Sequence, residues 1–144
     1  MLTRKLRLER ITSAAFRRYG KVIEYPRRTK ASRSRNLWRV IVRQPRTGWR
    51  IAYLVVRDRQ IDCLEKHPGS LESFEPMGGL GVLFVARRKD PSCIRAFALE
   101  RPVILMKGLW HGIVTRGCES DVKITENSRV KSSYWRTPFY LTAR

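Results

Sequence analysis

The chain has 144 residues, 42% of them hydrophobic, and 31 Lys and Arg against 12 Asp and Glu give a formal net charge of +19. That length and apolar content suit one domain with a real core and exclude a disordered chain. There is no apolar run of about 18 residues, which excludes a transmembrane helix.

The charge is lopsided. Residues 1–60 hold 18 basic and 3 acidic side chains, so +15 of the +19 lies there. A field of that sign attracts small carboxylates, phosphates or nucleic acid. The N-terminus is basic with no apolar segment behind it, so no secretory signal is expected. Cys63, Cys93 and Cys118 are odd in number and match no C-x-x-C spacing. Scattered thiols of this kind suit a reducing, cytoplasmic setting.

In chain order, residues 12–19 read as a short helix. Thr12 or Ser13 caps it, Ala15, Phe16 and Tyr19 form its apolar stripe, and Gly20 stops it. A strand over 21–25 ends at Pro26. Residues 26–36 are rich in Arg, Ser and Lys and read as a basic loop. Strands then follow at Leu37–Arg43, Trp49–Arg57, Gln60–Lys66, Gly81–Arg87, Ile94–Leu99, Val103–Leu105, Ile113–Thr115, Val122–Thr125 and Ser133–Leu141. Turn formers such as Pro45-Arg46-Thr47-Gly48, Asp58-Arg59, Gly78-Gly79 and Asp90-Pro91-Ser92 separate them. Many short strands at close spacing predict a mainly all-β chain, an antiparallel sandwich or barrel.

Two histidines are the whole supply. His67 lies in an E-x-H-x4-E-x6-G run made by Glu65, His67, Glu72 and Gly79, and His111 in a G-x2-H run after Gly108. Alternate strand residues share a face, so Glu65 and His67 point the same way, and Glu72 can return across Pro68-Gly69-Ser70. Two imidazoles and two carboxylates suit a divalent ion such as Zn, Mn, Ni or Fe, with Glu65, His67, Glu72 and His111 as its candidate ligands. The joint spacing is similar to the two signature motifs of the cupin barrel. That resemblance implies an antiparallel jelly roll over residues 1–144, with a short N-terminal helix.

A narrower resemblance follows. Leu64-Glu65-Lys66-His67-Pro68 through Ser73-Phe74-Glu75-Pro76-Met77 resembles the ureidoglycolate lyase family, whose members carry an E-R-H-P segment ending in A-F-I-P. The run Ala15-Phe16-Arg17-Arg18-Tyr19-Gly20-Lys21-Val22-Ile23-Glu24 is similar to the family's A-F-x-x-[YF]-G-x-V-I-E. Leu83–Ala86, Ile94–Phe97 and Val103–His111 resemble its later strands and W-H pair. Departures cluster near the pocket. Met106 stands for a histidine, Lys107 for an arginine, Glu72 for the frequent glutamine, and Gly112-Ile113 follow the W-H pair where His-Pro is usual.

The resemblance implies a homodimeric enzyme of purine catabolism, acting in allantoin degradation, that cleaves ureidoglycolate to glyoxylate and urea. His67, His111 and Glu72 are then the candidate catalytic groups, because the reaction needs a base for the carbinolamine hydroxyl. Lys107, Arg95 and Trp110 are the candidate substrate contacts, with a cation for the small anionic substrate. A different class is also open: a non-catalytic cupin-fold module that binds anions or nucleic acid. Its patch would be Arg27, Arg28, Arg33, Arg35, Arg39 and Arg43 with Trp38 interleaved, a pattern suited to phosphate contacts plus stacking.

Overall fold

A computed structural model describes residues 2–23 and 48–143. The predicted strand Leu37–Arg43 and the basic patch Arg27–Arg43, Trp38 included, lie outside the described residues. Apolar alternation yields β1 Leu2–Leu6, β2 Leu8–Arg10, β3 Gly20–Val22, β4 Trp49–Val56, β5 Ile61–Lys66 and β6 Glu72–Gly78. After these come β7 Gly81–Arg87, β8 Asp90–Ala98, β9 Val103–Leu105, β10 Trp110–Thr115, β11 Ser120–Asn127 and β12 Ser133–Ala143. The helix α1 is one turn, Ser13–Phe16. Thr12 caps it, its hydroxyl accepting from the Ala15 amide at 3.1 Å. No described helix is long and apolar enough to cross a membrane.

The strands form two sheets. One has the order β1-β12-β5-β10-β7-β8-β2, the other β3-β9-β6-β11-β4. Pairing is antiparallel except where β1 joins β12 and β2 joins β8. The mainly all-β, cupin-type barrel with a short N-terminal helix is therefore what the chain adopts.

The inward faces meet in a core of Leu83, Val85 and Phe97 from one sheet and Phe74, Val103, Leu105, Val122 and Ile124 from the other. Phe16 and Tyr19 close one side, with Phe97 edge-on to both at 5.1 and 5.7 Å. Each such buried side chain contributes about 1.5–3 kcal/mol. A second core lies on the other face of the larger sheet, where Val82, Phe84, Ala96, Trp110 and Val114 pack beneath Leu6 of β1 and Leu141 of β12.

Three strands were not predicted. β1 and β2 are crowded with Arg and Lys, and β1 is an exposed edge strand that tolerates them. β6 contains Pro76, which ordinarily argues against a central strand. The ladder absorbs it with a register irregularity, as the consecutive Asp121 and Val122 of β11 pair with Gly78 and Pro76 and leave Met77 of β6 as the extra residue. The expected helix over 12–19 is shorter than its apolar stripe suggested, because Arg17, Arg18 and Tyr19 turn the chain into β3.

Candidate active site

The site follows from two rows of paired residues. Across the larger sheet the register runs Tyr134, Glu65, His111, Val85, Arg95. Across the smaller it runs Leu105, Glu72, Glu126, Arg50. Residues in register share a face, so each row projects its polar members together.

His67 follows β5, where the backbone is pinned. Gly108, with φ of 72°, turns the chain so that its amide donates to the His67 carbonyl at 2.9 Å. The turn from Pro68 to Ser70 is tied to the end of β11. The Asn127 amide donates to Ser70 Oγ at 3.1 Å, and its side-chain amide donates to the Gly69 carbonyl at 3.3 Å. Glu72 then opens β6 and points back at His67.

The four side chains converge. Glu72 Oε2 lies 3.4 Å from His67 Nε2 and 3.0 Å from His111 Nε2, and the two imidazole rings are 5.2 Å apart. Glu65 reaches both histidines at 3.9 Å. His67, Glu72 and His111 are buried, whereas Glu65 is part-exposed. The outer ring nitrogens are held from behind. His111 Nδ1 lies 3.1 Å from the Leu109 carbonyl, and His67 Nδ1 lies 3.1 Å from Ser132 Oγ. A carbonyl only accepts, so His111 Nδ1 carries the proton. In the neutral ring the Nε2 lone pair therefore faces the pocket.

Glu126 belongs to the same place and was missed. Its Oε1 accepts from Arg50 Nε at 2.8 Å and sits 2.7 Å from Arg50 Nη2. Among the described residues its Oε2 is buried with no hydrogen-bond partner, as are Glu72 Oε2 and His111 Nε2. The Glu72–His111 pair is close enough to attract, but the two atoms are not aligned as a hydrogen bond. Donor atoms of Glu65, His67 and His111 lie within 4.8 Å of one another, and so do those of His67, Glu72 and Glu126. Glu72 and Glu126 are cross-strand neighbours of like charge, an arrangement that costs free energy unless a cation or proton intervenes.

Burial alone would push the His111 pKa down. The Glu72 carboxylate outweighs it, aided by the Leu109 carbonyl and the Glu65 charge, and the pKa ends above the ordinary 6.5. The folded, metal-free chain thus binds this proton more tightly than the unfolded chain. Its contribution to stability is complete below the ordinary imidazole pKa and is lost as pH rises through the raised one. Melting curves of the metal-free protein should show Tm falling across that window. A His111→Gln chain should not show the fall, and an equal fall there would assign it elsewhere.

The remaining candidates lie apart. Arg95 shares the His111 row, but its guanidinium is taken by both oxygens of Glu9 and lies over the Phe97 ring at 5.2 Å. That ion pair lifts its pKa further. Lys107 is exposed in the turn before Gly108. Trp110 alternates with His111 onto the opposite face, packing in the second core against Trp135 with Lys66 Nζ 4.3 Å from its ring. Met106 is exposed. A cleft of about 370 Å³ opens beside the pocket, lined by Glu65, His111, Cys63, Ile113 and Tyr134 among others.

Two sheets enclosing histidines and carboxylates define a cupin-type protein with a polar pocket in its barrel. The chain belongs to the ureidoglycolate lyase family, whose model matches residues 3–130. No curated protein matches it. Among solved structures it is similar to Bacillus subtilis oxalate decarboxylase with its Mn(II) centres, at 15% identity and a TM-score of 0.48 over 62% of this chain and 24% of that one. It is also similar to tomato (Solanum lycopersicum) vicilin, at 14% and 0.47 over 61% and 26%. A dTDP-sugar isomerase from Desulfovibrio desulfuricans matches at 14% and 0.48 over 83% and 82%. The matched region is thus about a quarter of the decarboxylase and vicilin chains.

Proposed function

We propose that this chain is a metal-assisted lyase that cleaves the carbinolamine C–N bond of ureidoglycolate, releasing glyoxylate and urea. What carries the reading is the convergence of Glu72 Oε2 and His111 Nε2, buried and without hydrogen-bond partners among the described residues, beside His67 and Glu65 in a member of this family. Buried polar atoms left unpaired cost on the order of 1–3 kcal/mol each. A cation between them removes that cost.

The donors fit a divalent ion. Among the described residues the pocket gathers three carboxylates, Glu65, Glu72 and Glu126, and Arg50 pairs with Glu126, which leaves two negative charges for the ion to balance. Glu65, His67, Glu72 and His111 would hold it, and once bound it supplies Lewis-acid polarisation of a ligand oxygen.

The chain's own residues do the rest. Leu109 and Ser132 orient the two rings. Phe74 packs edge-on against His111 at 5.6 Å and gives the pocket an apolar wall. Such a wall strengthens the charge interactions inside it. The cleft beside Glu65 and His111 is of a size suited to small organic ligands. Three cysteines without disulfides agree with a cytoplasmic setting.

Metal analysis of the isolated protein, paired with glyoxylate release from ureidoglycolate, tests the proposal. Bound divalent metal and release that a chelator abolishes are the expected results. A chain with neither metal nor turnover, also after loading with Mn²⁺ or Zn²⁺, would sink it.

A further inference from the structure

If Glu65, His67, Glu72 and His111 hold an ion, none of the catalytic groups expected from the sequence is left free to take the carbinolamine proton. Glu126 is. It is the cross-strand neighbour of Glu72 on one side and of Arg50 on the other. Arg50 engages only Oε1, through Nε at 2.8 Å and Nη2 at 2.7 Å. Oε2 is left buried and without a hydrogen-bond partner among the described residues, and a carboxylate oxygen of Glu126 lies within 4.8 Å of donor atoms on His67 and Glu72. Glu65 groups with His67 and His111, whereas Glu126 groups with His67 and Glu72. Its own charge is already matched by Arg50. A held carboxylate with a free lone pair at the edge of such a set has the geometry of a general base.

We propose that Glu126 is the proton-transferring residue of this pocket and that Arg50 is the positioning residue that presents it. The assignment rests on the lyase reading above. Glu126 Oε2 accepts the hydroxyl proton of the carbinolamine, and the O–H electron pair forms the carbonyl of glyoxylate. The C–N bond breaks with its electron pair on nitrogen, and the same proton passes from Oε2 to that nitrogen to complete urea. Protons and electrons balance with no further reactant.

The test separates metal occupancy from turnover. Metal-loaded Glu126→Gln is expected to keep its ion and to lose about 10²- to 10⁴-fold in turnover, the usual contribution of general acid–base catalysis. Formate should restore part of the activity of Glu126→Ala, which a purely structural role would not allow. Arg50→Lys should retain more activity than Arg50→Met. Turnover of Glu126→Gln within a few-fold of the parent chain would overturn the assignment. Loss of the ion from that variant would also overturn it, making Glu126 a metal ligand instead. A parent chain that binds metal yet releases no glyoxylate removes the lyase reading, and this assignment falls with it.

Discussion

If the pocket holds the proposed divalent ion, replacing His111 with alanine is expected to empty it and to cut the proposed glyoxylate release by more than about 100-fold, since changes one shell further out already cost about 10–100-fold in affinity or activity. His111 sits 3.0 Å from Glu72 Oε2 and faces Glu65 in register, so its loss removes the donor that links the two rows. The fold should persist. The same strand still buries Trp110 and Val114 in the second core, and β10 keeps its ladder to β7 from Trp110 to Thr115. Metal content by mass spectrometry and circular dichroism on one preparation would separate the effects. A folded His111→Ala protein that retains full metal content would remove His111 from the donor set.

The largest stability effect is expected at Phe97. It is fully buried, meets Phe16 and Tyr19 edge-on and lies beneath the Arg95 guanidinium. Phe97→Ala should cost about 3–5 kcal/mol, as large-to-small changes at buried aromatic positions do. Much of that is the cavity, because helix and sheet hold its walls apart. Urea unfolding of the two chains gives the difference directly, and a change under about 1 kcal/mol would mean that α1 collapses into the space.

Much of the site was legible because the first motif is local. Glu65 and His67 are two residues apart at a strand end, and Glu72 is one tight turn away. Their convergence needed only strand periodicity and a turn signal. His111 came from a longer reach, and Gly108 marked it. Glu126 carried no such flag, sitting in Val122-Lys123-Ile124-Thr125-Glu126 as one more polar residue near a strand end. The signal was its parity. Val122 and Ile124 point into the core, so Glu126 continues the buried face.

Arg50 was hidden for the opposite reason. β4 is apolar on both faces, with Trp49, Ile51, Tyr53 and Val55 exposed and Ala52 and Leu54 packed inward. Alternation alone could not say which face Arg50 shared. Family comparison pointed to the absent His-Pro after Trp110-His111 as a change in chemistry, and the structure adds a packing reason for it. A Cβ on Gly112 would stand 2.4 Å from Ile61 Cδ1 and 2.9 Å from Leu64 Cδ2. A side chain at this position therefore requires the ends of the Ile61 and Leu64 side chains to move.

The parallel ladder between β1 and β12 joins Leu2–Leu6 to Phe139–Ala143, segments more than a hundred residues apart in the chain. Ring closure over such a span is entropically costly and tends to make folding slow. On a ribosome, the strands that carry Glu65, Glu72, His111 and Glu126 emerge before β12 does. Leu141 cannot yet cover Val82, Phe84 and Val114, and Ser132 cannot yet steady His67. A nascent chain paused short of β12 would thus expose the apolar outer face of its larger sheet. Chaperone engagement during synthesis should be greatest in that interval and should end once β12 takes its place between β1 and β5.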